Sequence, residues 1–312
     1  MSYSTTLVVV LAAVYGLVGL VLSGLVALAW HAAFRRMRPS AGEVLALRLA
    51  PAGGAALLAL AVVMPAFMQF EPAHATEGGG PLLVVLAGLG LLTVAAGLRR
   101  AWRACVAARK LLKECDAAID RSEVASQPIG ILDMRDPLVA LVGGWRPRIV
   151  ASRCVLAACT AEELSQVIAH EMAHIAARDN LKLLLLVLAP DPLAWLPTGR
   201  SLAAHWRVLA EREADECAAG SDRRKRLALA AALIKVARLS TVASAQLPKL
   251  SMQVALDDVE GRVRRLMAAS PPARRWRVWR WLAVCALLVP AAGVPLYGIV
   301  HEFSEALVAF GR

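Results

Sequence analysis

The sequence predicts a mainly α-helical, multi-span membrane protein with an α+β domain set between its third and fourth spans. Three observations carry that prediction: four charge-free apolar blocks, basic clusters confined to one side of them, and a polar triplet on the inward face of a helix in the intervening segment. Hydrophobic residues make up 58% of the 312, and the mean hydropathy is +0.57. That is too apolar for an ordinary soluble chain, and the excess is concentrated in the four blocks.

Leu7 to Trp30, Leu49 to Phe70, Pro81 to Leu98 and Trp281 to Val300 contain no charged residue. Each is long enough as a helix to cross a hydrocarbon layer about 30 Å thick. The expected organisation is three spans with short loops over residues 1–98, a domain over 99–280, a fourth span over 281–300 and a short tail over 301–312. Pro51, Pro65, Pro290 and Pro295 fall within the spans, which membrane helices tolerate better than soluble ones. No basic residue precedes the first block and no small-residue cleavage pattern follows it, so it reads as an anchor rather than a removable signal peptide.

Charge sets the orientation. Arg35, Arg36 and Arg38 follow the first span; Arg99, Arg100, Arg103, Arg109, Lys110 and Lys113 follow the third; Arg274, Arg275, Arg277 and Arg280 precede the fourth. The loop from Glu71 to Gly80 and the first six residues carry no Lys or Arg. The positive-inside rule then puts the N-terminus outside and residues 99–280 in the cytoplasm, the topology of a multi-pass protein of a bacterial-type inner membrane. These clusters hold thirteen of the 35 basic residues. Topology therefore accounts for much of the net charge of +11, no recognition module is visible, and direct nucleic-acid binding is not expected. The six cysteines show no paired metal spacing.

The inward triplet is His170, Glu171 and His174. Thr160 and Glu163 have the form of a capping box, and Leu164, Val167, Ile168 and Ile175 recur at helical spacing up to about Arg178. At about 100° per residue, Glu171 and His174 fall in the apolar sector and His170 at its edge. Burying a carboxylate and two imidazoles is costly unless they are paired or bind a metal. Histidines four residues apart on a helix aim their nitrogens at one point, and Glu171 between them can reach a water there.

A third ligand is predicted 37 residues after His174, at Glu211. The stretch Ser201 to Ala219 has the composition of a second helix, on which Glu211 and Asp215 share a face with Ala204, Val208 and Ala218. Glu211 is read as the ligand and Asp215 as the acceptor that orients a ligating histidine. Glu213 is the rival ligand, but it lies about half a turn away beside Leu202, Trp206 and Leu209.

The rest of the domain frames these helices. Asp136 to Val150 combines Pro137, Gly143, Gly144 and Pro147 with β-prone Ile149 and Val150, and reads as an edge strand. Arg148, Ile149 and Val150 are its candidate substrate-binding residues, offering main-chain hydrogen bonds to an extended peptide; a plain structural strand is the alternative. Leu181 to Pro197 is apolar but is broken by Asp191 and three prolines, so it reads either as a membrane-facing hairpin or as core packing. Ser221 to Leu239 and Leu256 to Met267 read as helices, the second with Arg262, Arg264 and Arg265 on a solvated face.

Arg146-Pro-Arg-Ile149, Thr160-Ala-Glu-Glu163, the His170 to His174 helix running into Arg178-Asp-Asn180, Asp191-Pro-Leu-Ala-Trp195 and Glu211 to Asp215 together resemble the BlaR/MecR group of transmembrane zinc metallopeptidases. That group is related to the HtpX and CAAX-prenyl endopeptidases. The resemblance implies a cytoplasmic zincin-like α+β metalloprotease domain, Zn2+ as cofactor, the ligand set His170, His174 and Glu211, and Glu171 as catalytic base. It also implies a protein or peptide substrate, with a cytoplasmic transcriptional repressor as the partner in a signalling enzyme, and a lipid bilayer around the spans. Two departures stand out: only His301 to Arg312 follow the last span, so the penicillin-binding sensor of the signalling members is not expected, and Ala214 stands where many members have Cys.

The chemistry expected is metal-assisted amide hydrolysis, with Glu171 moving the proton from water to the leaving amine. His205, Arg178 and Arg212 are candidate oxyanion donors, although His205 and Arg212 point away from the Glu211 face. Membrane-protein quality control of the HtpX kind and a non-catalytic, zinc-stabilised regulator are the alternative roles. A purely structural site needs no general base, so Glu171 weighs against the latter.

Overall fold

The computed structural model describes residues 2–34, 39–70, 80–118, 120–124, 127–133, 136–143, 147–243 and 253–268. The fourth span, the tail, the loop residues 71–79, the clusters at Arg35 to Arg38 and Arg274 to Arg280, and Arg146 lie outside the described residues.

The chain divides into two compact units, one of residues 1–101, 185–205 and 275–312, the other of residues 102–184 and 206–274. The first unit holds α1 (Tyr3–Ala29) with a π-helical turn after it at Trp30–Phe34, α2 (Ala41–Leu58) joined to α3 (Met64–Phe70) by a π-helical turn at Ala59–Val63, and α4 (Pro81–Ala118) as far as Ala101. Three stretches among the described residues, Tyr3–Ala32, Ala41–Gln69 and Pro81–Lys110, are long and apolar enough to cross a membrane. The second begins eight residues earlier than the charge-free block, at a capping box in which Ser40 and Glu43 satisfy each other's backbone N–H groups. It therefore includes two charged residues, Glu43 and Arg48. The third is one continuous helix that carries the basic cluster from Arg99 to Lys113 to its end.

The apolar stretch after the metal helix falls, from Leu185 to Pro197, in this first unit. Its polar groups are met one by one by the long helices. Arg48 Nη1 donates to both oxygens of Asp191 at 3.2 and 2.9 Å, and the two side chains are buried. Tyr15 donates to the Pro190 carbonyl at 2.6 Å, and Arg100 donates to the carbonyls of Val187 and Ala189 at 3.0 and 3.1 Å. Asp191 in turn caps a short 3₁₀ turn, Pro192–Ala194.

The second unit is an α+β layer. Its sheet has four strands, β1 (Asp120–Val124), β2 (Gln127–Leu132), β3 (Val139–Val142) and β4 (Arg148–Ser152), in the order β1-β2-β4-β3. β2 and β4 pair in parallel and the outer pairs are antiparallel. Ile129, Ile149 and Ala151 on one face pack against Ile168 and Ile175 of α6 (Ala161–Ala177), while Leu132, Val142 and Val150 form a cluster on the other. After the short α5 (Arg153–Ala158) and α6 come α7 (Asp179–Leu188), α8 (Pro197–Ala219), α9 (Arg223–Ala243) and α10 (Gln253–Met267). α9 lies on α6 through Val167, Leu229 and Leu233, and the ion pair of Glu163 with Lys235 at 2.7 Å joins the two. Arg226 of α9 donates to the Arg265, Leu266 and Ala268 carbonyls, closing the C-terminus of α10.

Candidate metal centre

α6 starts where the capping box starts it: the Thr160 hydroxyl accepts the Glu163 N–H at 3.3 Å and Glu163 accepts the Thr160 N–H at 2.7 Å. It ends at Arg178, which turns left-handed at φ 56°. That turn folds the chain back, so Asp179 reaches the side chain of His174, five residues earlier, at 2.8 Å.

The two imidazoles are thereby held alike. His174 Nδ1 faces Asp179 Oδ2, and His170 Nδ1 lies 3.0 Å from Asp215 Oδ1, an ion-pair approach rather than a straight hydrogen bond. In the neutral form that ligates a metal, a ring whose Nδ1–H is turned to a carboxylate leaves its Nε2 as the donor atom, and both Nε2 atoms turn the other way. They meet 3.1 Å apart, and Glu211 brings its oxygens within 3.3 Å of His170 Nε2 and 3.5 Å of His174 Nε2. Two nitrogen lone pairs and a carboxylate converging on one point form a donor set for a metal ion, with all three ligand atoms within 4.8 Å of one another. Glu213 is exposed and stands outside this group.

Arg262 closes the arrangement. Its Nε and Nη2 donate to the two oxygens of Asp215 at 2.8 and 2.7 Å, and its Nη1 lies 2.8 Å from Glu211 Oε2. The solvated face expected for Arg262 is thus corrected: the side chain is inside the site, whereas Arg264 is exposed as expected. Val259, Val263 and Leu266 lie on the same side of α10, so helical periodicity carried the signal. Arg262 and Asp179 are the site residues to which the sequence reading gave no role.

Charge follows this geometry. Burial opposes protonation of His174, but Asp179 and Glu211 outweigh it and carry the imidazole up to about 10 in the metal-free protein. Glu211 is held well below the usual carboxylate range: burial would raise it, but the two histidines and Arg262 prevail. Burial pushes Glu171 above its ordinary value, a shift toward the pH at which a carboxylate can both accept and release a proton.

These groups open into a cavity of about 470 Å³, whose wall includes Val139 and Leu141 of β3, His170, Glu171, His174, Glu211 and Arg262. Arg178, His205 and Arg212, the candidate oxyanion donors, are not among the described residues that line it, whose arginines are Arg207 and Arg262. Arg148, Ile149 and Val150, the candidate substrate strand, lie in β4, whose two edges are taken by β2 and β3. Their main-chain groups are committed to the sheet, and the edge that reaches the cavity belongs to β3.

The model of peptidase family M48 matches residues 107–279, more than half of the chain and all of the residues just described. The chain belongs to peptidase family M48. Neither the curated proteins nor the solved structures give a match. As a member of M48 the protein is a peptidase of a metal-dependent family, and the His170, His174 and Glu211 group is where its chain can hold the metal. The metallopeptidase part of the sequence resemblance agrees with this assignment.

Proposed function

We propose that this M48 peptidase is an integral-membrane zinc endopeptidase that hydrolyses peptide bonds of protein substrates at the cytoplasmic face of the membrane. The observation that carries the reading is the half-buried Glu171 beside a converging His170, His174 and Glu211 donor set, all lining one cavity. Two imidazoles and one carboxylate are a zinc-type donor set that leaves room for substrate. When bound, zinc supplies Lewis acidity to the scissile carbonyl.

The chain does the rest. Asp179 and Asp215 hold the Nδ1 side of the two rings and keep each Nε2 turned toward Glu211, where the three side chains would hold the metal. Glu171 accepts a proton from the attacking water and delivers it to the leaving nitrogen, so the broken C–N bond is replaced by a carboxyl group and a neutral amine. The β3 edge, Val139–Val142, offers the extended substrate its main-chain pairing in place of the residues in β4.

Regulated proteolysis is the role that the BlaR/MecR resemblance supports, with a cytoplasmic repressor as the protein cut. The apolar wall of the cavity, including Leu141, Val167, Leu233 and Val236, favours a second reading, HtpX-type quality control of membrane proteins exposing apolar segments. One experiment addresses both. New protein N-termini are compared in cells expressing the wild type and Glu171→Gln at matched membrane levels. Termini specific to the wild type are expected, one or a few for signalling and many for quality control; an active Glu171→Gln protein removes Glu171 from the chemistry.

A further inference from the structure

The edge of β3 away from β4 carries no further strand among the described residues, but it is partly occupied. The Ser152 N–H donates to the Leu138 carbonyl at 2.8 Å, and the register pairs Ala140 with Val150 and Val142 with Arg148. In an antiparallel ladder alternate residues turn both main-chain groups to the same neighbour. Leu138, Ala140 and Val142 therefore face β4, and Val139, Leu141 and Gly143 face the open edge. Asn180, at the start of α7, comes in from that side. Its Nδ2 donates to the Gly143 carbonyl at 2.7 Å and to that of Leu141 at the longer distance of 3.4 Å. Both partners are acceptors, so the NH₂ end of the amide must be the one turned to the strand.

Of the three outward carbonyls, the side chain takes two and leaves that of Val139. Gly143 has φ 108°, a conformation natural to glycine, and the chain turns off the strand there. Asn180 also follows directly on Asp179, which holds His174 Nδ1 at 2.8 Å. The group that closes the strand edge and the group that orients a metal ligand are thus consecutive residues, and Asn180, Val139 and Leu141 line the same cavity as His170, Glu171 and His174.

We propose that Asn180 is a positioning residue that sets the register of the substrate: by closing the β3 edge at Leu141 and Gly143, it stops an added strand from sliding past Val139 and holds one peptide bond opposite the metal. The assignment rests on the peptidase reading above. Without the amide, a slip of two residues keeps the same side chains on the same face and is the displacement open to the substrate.

The test uses the full-length protein in detergent, zinc-loaded, with β-casein as the probe, and maps cleavage sites by mass spectrometry. Asn180→Ala removes the donor, and the nearly isosteric Asn180→Asp replaces it with an acceptor facing two carbonyl oxygens. Both variants are expected to bind zinc as the wild type does and to add cuts two residues from the wild-type sites. Asn180→Asp decides the matter if Asn180→Ala does not fold. Zinc-replete variants that cut only at the wild-type positions, faster or slower, overturn the register role and leave the peptidase intact. A zinc-replete wild type that leaves casein whole overturns the peptidase reading and the register role with it.

Discussion

Arg262 grips Asp215 through two parallel hydrogen bonds, Nε to Oδ2 at 2.8 Å and Nη2 to Oδ1 at 2.7 Å. The same carboxylate lies 3.0 Å from His170 Nδ1, and Arg262 Nη1 lies 2.8 Å from Glu211. One guanidinium therefore acts on two of the three candidate ligands. Arg262→Met should weaken metal binding by about 10- to 100-fold, the cost typical of losing an outer partner of a ligand. Arg262→Lys should recover only part of this, since an ammonium cannot reproduce the planar two-point contact. Competition with a chromogenic chelator measures both.

Glu211 and Glu171 should separate binding from chemistry. Glu211→Ala removes one of three donors and should lose stoichiometric metal. Glu171→Gln keeps the donors, so metal content should stay at the wild-type level while peptide hydrolysis falls by about 10²- to 10⁴-fold. Metal analysis of the purified proteins alongside a peptide-cleavage rate checks the pair.

The buried ion pair of Arg48 with Asp191 ties the stretch from Leu185 to His205 into the unit of long apolar helices. Removing one partner strands a buried charge, so Arg48→Met or Asp191→Leu alone should destabilise the protein by about 3–5 kcal/mol. The double variant should recover most of the loss because both charges leave together. Thermal unfolding in detergent of the two single variants and the double variant gives the comparison.

Stability should also depend on Glu163 in acid. Burial alone would raise its pKa, but Lys235 and the Thr160 N–H outweigh burial and hold it below its ordinary value of 4.5. A depressed folded value means that the contribution is present above about 4.5 and fades as pH falls through the lower, folded value. Glu163→Gln should therefore melt earlier than the wild type at pH 7, and the gap should close as acidification takes the wild type through the lowered folded value. Melting curves across that range test the sign.

The predictions draw on two kinds of information. The helix bearing His170 and His174 was legible in the sequence because everything that makes it is local: the Thr160 and Glu163 box spans four residues, the apolar positions repeat with the helical turn, and His170 and His174 are one turn apart. Glu211 and Asp215 were legible for the same reason, as a second one-turn pair on a second helix. The three long apolar helices follow from length and composition.

Other features depend on what lies across the fold. β1 and β2 were missed because Asp120-Arg-Ser-Glu-Val124 and a strand carrying Pro128 and Gly130 have little strand character of their own; pairing holds them extended. Likewise, no periodicity tells an interior strand from an edge strand. The substrate edge was therefore expected at Arg148 to Val150, whereas these residues lie in an interior strand and β3 is the outer strand among the described residues.

The amino-acid sequence by itself determined the long apolar helices, the helix bearing His170, Glu171 and His174, and the second pair of carboxylates. The tertiary structure alone decided which strand is open, that Asp179 reaches back to His174, that Arg262 meets Asp215 across 47 residues and that Arg48 meets Asp191 across 143. Helix periodicity and capping are set by neighbours within about one turn. A buried charge is stabilised by whatever partner packing brings to it, and its distance along the chain carries no trace of that partner.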